Sequence, residues 1–267
     1  MVKDYDELEA RKDEVGGKIV VYNQKWTSYG AGVQYRINGA SRAAKYGAVG
    51  ALVKSITPDS IQSVHTGVQF YSDEYKKIPF AAMTVEDAEM LARMQARNQT
   101  IVLELKLENK LVPNMNSNNV VFEIKGSTKP EQILLMGGHI DSWDVGSQTG
   151  ANDDGGGFIT CFEAMRLLLQ NGFRPQRTIR FIAWSGEEWG DPKNGAQAYL
   201  ETHKDELRNH IVAFEDDLGS TKLYGFGISG NETATAVVKD VAVKYLSILN
   251  AGNITGNGNA ADTAPLH

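Results

Sequence analysis

Three apolar runs in the second half of the chain are each followed at once by polar or acidic residues. They span residues 132–138, 178–184 and 211–214. Apolar runs of this length between segments of helical periodicity predict buried strands of a largely parallel sheet. In such sheets, ligands gather at the carboxyl ends of the strands. We therefore expect the acidic residues behind these runs to form one oxygen-rich site.

The remaining pattern predicts further elements on both sides of these runs. Helices are predicted at residues 1–15, 40–46, 84–97, 158–169, 195–203 and 233–246. Further strands are predicted at residues 18–22, 51–56, 78–83, 100–107 and 120–125. The last of these is expected to pair with residues 131–136 across a short turn. The pattern as a whole predicts an α/β protein with a mostly parallel sheet flanked by helices.

An asparagine-rich polar segment at residues 113–119 marks a shift in composition and a predicted domain boundary. We expect residues 16–110 to form one α/β domain. Residues 111–267 are predicted to form a second domain, which carries the acidic clusters. Residues 1–15 are expected to belong to the N-terminal region of that second domain.

Composition narrows the classes of function. The 267 residues carry a net charge of −6 with scattered basic residues, which argues against nucleic acid as a partner. No apolar run approaches the length of a membrane span. Cys161 is the only cysteine, so it cannot form a disulfide framework within the chain, and we expect it in the core. The triplets at Asn98, Asn231 and Asn253 would be N-glycosylation acceptors in a secreted or lumenal protein.

The first apolar run ends in His139 and Asp141, and a second acidic pair opens the next predicted helix. Residues two apart on a strand share a face, so His139 could bind a metal while Asp141 holds its ring; the alternative is a polar turn. Of Asp153 and Asp154, helix capping explains one. The other, beside three glycines, fits a carboxylate that bridges two metals.

Acidic pairs also follow the other two strands: Glu187 with Glu188, and Asp216 with Asp217. Adjacent carboxylates repel each other unless a cation neutralises them. Either Glu187 or Glu188 could bind a cation while its neighbour takes the proton of an attacking water. The alternative is two solvated glutamates in a loop.

Other polar patterns are weaker. Residues 225–230 fit a dinucleotide fingerprint, but no acidic residue follows at the expected distance, so a glycine-rich turn is favoured. Ser185 lacks the glycine that precedes the serine of a nucleophile elbow by two positions. His203 and His210 flank a charged turn and are predicted to lie at the surface.

Taken together, the order His-x-Asp, Gly-Ala-x-Asp-Asp-Gly, Glu-Glu and Asp resembles the co-catalytic zinc exopeptidases of the M28 family. The residues that carry the resemblance are 138–146, 150–157, 174–180 and 184–188. It implies two zinc ions held by His139, Asp153, Glu188 and Asp217, with Asp153 bridging. It further implies Glu187 as general base, Asp141 as the residue that orients His139, and a cis peptide bond between Asp153 and Asp154.

Residues 16–110 resemble a protease-associated (PA) domain, which in such proteins is a lid or an interaction module. The M28 family has an insertion of this kind. Its fifth metal ligand is a histidine well downstream of a segment similar to residues 261–266, so His267 comes too early. We therefore expect the fifth ligand beyond residue 267, and the chain to be an inactive piece that lacks sequence at both ends.

The sequence predicts a metallo-exopeptidase that hydrolyses dipeptides or small peptides with a free terminus. One alternative is a catalytically silent protein that binds partners through its PA-like domain; the presence of Glu187 and Glu188 argues against it. Another is glutaminyl-cyclase chemistry, which uses one zinc, whereas His139 in the His-x-Asp position argues for two. A secreted or lysosomal location and a homodimer are also expected.

Overall fold

The computed structural model describes residues 1–60, 62–110, 112–143, 148–190, 193–217, 219, 221–256, 258 and 261–266. The chain forms two compact units. The first consists of Met1–Met115 and Trp143–Thr149, and the second of Asn116–Ser142 and Gly150–His267. The division after Met115 falls within the polar segment at residues 113–119. Residues 1–15 pack within the first unit.

The first unit contains a parallel three-stranded sheet. Its strands, in order across the sheet, are β1 (Ile19–Tyr22), β2 (Gly50–Lys54) and β3 (Phe80–Met83). The helices of this unit are α1 (Tyr5–Ala10), α2 (Tyr29–Ala44) and α3 (Val85–Ala96). Thr84 caps α3, because its hydroxyl accepts the N–H of Asp87.

Two features of this unit differ from the prediction. Helix α2 starts at Tyr29, well before residue 40, after a cap by Ser28. Its buried residues are Gly32, Arg36, Gly39, Ala40 and Ala43, so none of its buried positions carries the large apolar side chain by which a helix is recognised. Residues 101–105 alternate between half-buried and exposed, yet the predicted strand there is wrong, since no ladder forms. Alternation alone does not supply a hydrogen-bonded neighbour.

The second unit contains a four-stranded sheet in the order β4, β6, β5, β7. The strands are β4 (Val120–Ile124), β5 (Lys129–His139), β6 (Arg177–Trp184) and β7 (His210–Glu215). Strand β5 runs parallel to both β6 and β7, and β4 is antiparallel to β6. The three apolar runs are therefore adjacent parallel strands, as predicted, with their carboxyl ends at one edge.

The expected pairing of residues 120–125 with 131–136 is wrong. Strand β6 lies between β4 and β5: Val121 pairs with Ile182, and Met136 pairs with Phe181. A short connection favours a hairpin, but β6 is apolar on both faces. Such a strand buries the most apolar surface when it has a neighbouring strand on each side and helices above and below.

Helices cover both faces of this sheet. On one face, Phe181 packs in a cluster with Cys161 of α4 (Gly155–Gln170). On the other face, Trp184 packs edge-on against Tyr199 of α5 (Gly195–His203). Cys161 is thus a core residue, as predicted. Burial on both faces explains why β5 and β6 contain apolar runs instead of an alternating pattern, whereas β7, at the edge of the sheet, leaves Ile211 and Phe214 partly exposed.

His203 and His210 are not simple surface residues. The ring of His203 stacks on Tyr199, whose hydroxyl lies 2.7 Å from His210 Nε2. Arg180, from β6, donates to the same Tyr199 hydroxyl and to Glu206 Oε1. The two histidines therefore belong to a hydrogen-bonded network around a buried arginine.

The second unit also contains β8 (Gly225–Gly227), α6 (Glu232–Tyr245) and β9 (Asn253–Thr255), and β8 pairs with β9 in parallel. A Cβ at Gly225 would lie 1.7 Å from the backbone oxygen of Asn253. The glycine at position 225 thus serves close strand pairing instead of a phosphate loop. None of the helices formed by the described residues is long and apolar enough to cross a lipid bilayer.

Candidate metal centre

His139 is the last residue of β5, and only 1% of its side chain is exposed. Its Nε2 lies 3.1 Å from Asp153 Oδ1 and 3.1 Å from Asp217 Oδ1. Asp153 precedes α4, and Asp217 follows β7. Three separate segments thus bring one imidazole and two carboxylates together at the carboxyl edge of the sheet.

The protonation of His139 reflects how strongly this point attracts positive charge. Burial lowers the pKa of the imidazole, but hydrogen bonds to Asp153 and Asp217 outweigh burial and raise that pKa to about 12. The proton is held tightly because the negative charges of the surrounding carboxylates stabilise the imidazolium. The same carboxylates would stabilise a divalent metal ion, which would displace that proton.

Asp154 is fully buried and joins β5 to α4. Its Oδ1 accepts the N–H of Gly157, which makes it the N-cap of α4, and its Oδ2 accepts the N–H of His139 at 3.1 Å. The capping role expected for one of the two aspartates therefore falls to Asp154. Asp153 is left to face His139. The Asp153–Asp154 peptide bond is cis, as the resemblance implies.

Two glycines permit this close packing. A Cβ at Gly138 would lie 2.1 Å from Asp154 Oδ2, and a Cβ at Gly157 would lie 1.8 Å from the backbone oxygen of Asp216. Neither distance leaves room for a carbon atom. Glycine at these two positions therefore lets β5, the start of α4 and the end of β7 meet beneath the cluster.

The loop after β6 carries the glutamate pair and wraps around the carboxylate of Asp141. Asp141 Oδ1 accepts the N–H groups of Gly186 at 2.8 Å and Glu187 at 3.1 Å, and Oδ2 accepts that of Glu188 at 3.2 Å. His139 Nδ1 lies 3.0 Å from the backbone oxygen of Asp141 but 3.7 Å from its carboxylate. The carboxylate of Asp141 thus has its closest contacts with the glutamate loop.

Glu187 and Glu188 both approach His139. Glu187 Oε2 lies 3.9 Å from His139 Nε2, and burial together with repulsion from Asp217 raises the pKa of Glu187 to about 7. Glu188, Asp153 and His139 offer one ligand atom each within 4.8 Å of one another. His139, Asp154 and Asp217 form a second such group. Both oxygens of Asp154 already accept backbone N–H groups. Within this second group, Asp217 is therefore better placed than Asp154 to donate an oxygen to a metal.

The structure brings together all six residues that the sequence singles out: His139, Asp141, Asp153, Glu187, Glu188 and Asp217. Their individual roles stay predictions. Ser185, which the sequence sets aside as a nucleophile, donates its hydroxyl hydrogen to Ser117. His267, considered as a fifth ligand, lies outside the described residues.

Sequence reasoning missed a buried pair of carboxyl groups, Glu215 and Asp262. Glu215 Oε2 accepts the N–H groups of Asp262 at 2.9 Å and Thr263 at 3.0 Å. Asp262 is fully buried, and burial next to Glu215 raises its pKa to about 9. The pairing of Asp262 with Glu215 leaves no local pattern, because the two residues lie in distant parts of the sequence.

Comparison with known proteins gives consistent matches. Peptidase family M28 matches residues 119–259. Carboxypeptidase Q of Mus musculus is 44% identical over 262 residues, which cover 98% of this chain and 55% of the mouse protein. The crystal structure of a peptidase M28 precursor from Shewanella amazonensis has a TM-score of 0.88 at 32% identity, covering 99% of this chain and 61% of that one. A zinc aminopeptidase from Bacillus subtilis has a TM-score of 0.62 at 21% identity, covering 99% and 60%, and shares the fold.

The fold and the site define a mixed α/β protein with parallel sheets flanked by helices and a histidine–carboxylate cluster at one sheet edge. Since the family match covers more than half of the 267 residues, the chain belongs to peptidase family M28. The chain spans about half the length of the curated relatives it matches.

The donor set fits the zinc ions that the resemblance implies. Zinc in proteins takes imidazole nitrogen and carboxylate oxygen, and His139 presents one such nitrogen between two such oxygens. A third carboxylate, Glu188, lies within ligand distance of His139 and Asp153. The residues present therefore suit a divalent metal, and the imidazole favours zinc over magnesium or calcium.

Proposed function

We propose that the protein is a zinc-dependent exopeptidase that hydrolyses dipeptides or small peptides with a free terminus. The observation that carries this proposal is the position of His139 between Asp153 and Asp217, with the glutamate pair beside it. Membership of a peptidase family and 44% identity to a carboxypeptidase support the reaction class. The alternative of a silent binding protein has no such support.

His139, Asp153, Glu188 and Asp217 would hold two zinc ions, with Asp153 between them. The groups of ligand atoms around His139 support a divalent metal beside this residue, and the count of two follows from the resemblance. When bound, zinc would polarise the scissile carbonyl and make an attacking water more acidic. By resemblance, a further histidine would complete the ligand set outside the described residues.

Glu187 would act as the general base. It would take a proton from the attacking water as the oxygen of that water forms a bond to the scissile carbonyl carbon. It would then return the proton to the leaving amine as the C–N bond breaks. A base works best when its pKa lies near the working pH, and burial beside Asp217 gives Glu187 a pKa of about 7. Asp141 would keep Glu187 and Glu188 turned towards the site through its three backbone contacts.

We infer that residues 16–110 are a PA-like module that acts as a lid or interaction surface, and that residues 111–267 are the peptidase region. The parallel three-stranded sheet of the first unit supports the first part. All the clustered metal-binding groups found among the described residues belong to the second unit, which supports the other part.

We further propose a secreted or lumenal location and a homodimer. Asn98 is exposed just after α3 and is open to glycosylation, whereas the Asn231 side chain caps α6. Glycosidase treatment of the protein from its native source should lower its apparent mass, and an unchanged mass would count against this location. Sedimentation analysis would test the dimer.

Dipeptide hydrolysis tests the main proposal. Turnover should be measured with the metal removed by a chelator and then restored. We expect the protein to lose activity with the metal and to regain it with zinc. Full activity after complete metal removal would contradict the proposal.

A further inference from the structure

Asn119 lies immediately before β4 and connects both ends of the loop that carries the glutamate pair. Its Oδ1 accepts the N–H of Ser185, the first residue after β6, at 3.1 Å. Its Nδ2 donates to the backbone oxygen of Gly195, the first residue of α5, at 2.8 Å. The N–H of Gly195 donates in turn to the backbone oxygen of Ser185 at 2.7 Å. These three hydrogen bonds close the base of the loop.

We propose that Asn119 is a positioning residue that sets where Glu187 and Glu188 point; this inference rests on the proposed function. The Asn119 amide holds the N–H of Ser185, and the Asp141 carboxylate holds the next three N–H groups along the chain. Two side chains therefore fix four consecutive backbone donors. Because Glu187 is only two residues from Ser185, a shift of the backbone at Ser185 would also move Glu187.

The chemistry of the contact requires an amide. One side chain must accept from Ser185 and donate to Gly195, and asparagine carries an acceptor and a donor at the required separation. An aspartate at this position could accept but not donate. Gly195 makes room for the contact, because a Cβ there would lie 1.9 Å from Asn119 Oδ1. The close fit between positions 119 and 195 indicates that this contact is a specific feature of the fold.

A matched control is available at the other end of the same loop. The Asn194 side chain accepts the N–H of Gln197 and caps α5, and it takes no part in the hydrogen bonds between Asn119 and the loop. Asn194→Ala therefore weakens the same helix start and leaves both Asn119 hydrogen bonds in place. A general loss of stability would appear in both variants, whereas a loss of loop position would appear only in Asn119→Ala.

Hydrogen exchange on the metal-free chain tests the contact without reference to activity. We expect Asn119→Ala to speed amide exchange at residues 186–188 by about 10-fold or more, because two hydrogen bonds that close the loop are lost. Asn119→Asp, which keeps the acceptor, should give a smaller increase. Asn194→Ala should leave these amides within about 2-fold of the unmodified chain. Unchanged exchange in Asn119→Ala would overturn the inference.

Zinc titration of the same variants tests the consequence for the site. Because Glu188 offers a ligand atom from this loop, Asn119→Ala should bind Zn²⁺ about 10-fold more weakly, while Asn194→Ala keeps the unmodified affinity. Faster loop exchange with unchanged Zn²⁺ affinity would make Asn119 a purely structural residue and overturn the positioning role. If the unmodified chain bound no Zn²⁺, the proposed function would fail, and the exchange result alone would decide whether Asn119 holds the loop.

Discussion

The Asp141 carboxylate holds three N–H groups of the glutamate loop, and its replacement should destabilise the protein in proportion to the hydrogen bonds lost. Asp141→Ala removes all three. Asp141→Asn keeps one oxygen, which can still accept from Gly186 and Glu187, but turns an amino group towards the N–H of Glu188. The two variants therefore differ in a defined number of contacts.

The magnitude follows from the number of bonds and their exposure. A hydrogen bond in a folded protein contributes a net of about 1 kcal/mol. The Asp141 side chain is 18% exposed, so water can reach the N–H groups that lose their partner and burial adds little to the loss. We expect Asp141→Ala to lower the free energy of unfolding by about 3 kcal/mol and Asp141→Asn by about 1 kcal/mol. Both variants should still fold, since domains are stable by about 5–15 kcal/mol.

Urea unfolding of the metal-free chain measures these differences, and zinc titration shows which part of the site they affect. The contact from His139 Nδ1 to the backbone oxygen of Asp141 survives both substitutions. Zinc binding at His139 should therefore persist but become weaker, because Glu188 moves with the loop, and turnover should fall as Glu187 moves. Equal losses of stability in the two variants, or loss of zinc with unchanged stability, would show that Asp141 acts mainly through His139.

Two further predictions concern protons. The raised pKa of His139 means that the metal-free chain keeps its imidazolium well above pH 6.5, and the stability from that proton is lost progressively as the pH rises from 6.5 to about 12. Zinc must displace this proton, so calorimetry in buffers of different ionisation enthalpy at about pH 8.5 should show about one proton released per zinc bound at His139; no release would contradict the assignment. The folded pKa of Asp262, about 9, lies above its unfolded value of 3.8, so the metal-free chain should lose stability as the pH rises between these values. Asp262→Asn should make that decline shallower in denaturation curves at about pH 5 and pH 8, and an unchanged slope would refute the explanation.

The parts of the fold that the sequence predicts well are those decided by local pattern. Strands β5, β6 and β7 are apolar on both faces, and helix α5 was predicted with its observed bounds. The order of the strands was not, because the position of β6 between β4 and β5 depends on what packs above and below it. The early start of α2 was missed because its buried residues, among them Gly32, Arg36 and Gly39, include no large apolar side chain.

The residues of the candidate site likewise fall into those that local sequence pattern predicts and those that it does not. His139, Asp153, Glu187 and Asp217 each follow a strand or open a helix, so their convergence at one sheet edge follows from topology. The supporting residues could not be found in this way. Asn119 contacts residues far along the chain, and Asp262 meets Glu215 only in the folded protein. Such contacts leave no periodic signal, because each depends on a single pair of distant positions.

The central claim is that Glu187 and Glu188 divide the work, with Glu188 as a zinc ligand and Glu187 as the base. The most direct test is zinc content, measured by atomic emission on the purified protein, alongside dipeptide turnover for Glu187→Gln and Glu188→Gln. Glu187→Gln should keep the unmodified zinc content and lose turnover, because the amide cannot take a proton. Glu188→Gln should lose zinc, since Glu188 offers a ligand atom beside His139 and Asp153. Loss of zinc from Glu187→Gln with full zinc in Glu188→Gln would contradict this assignment.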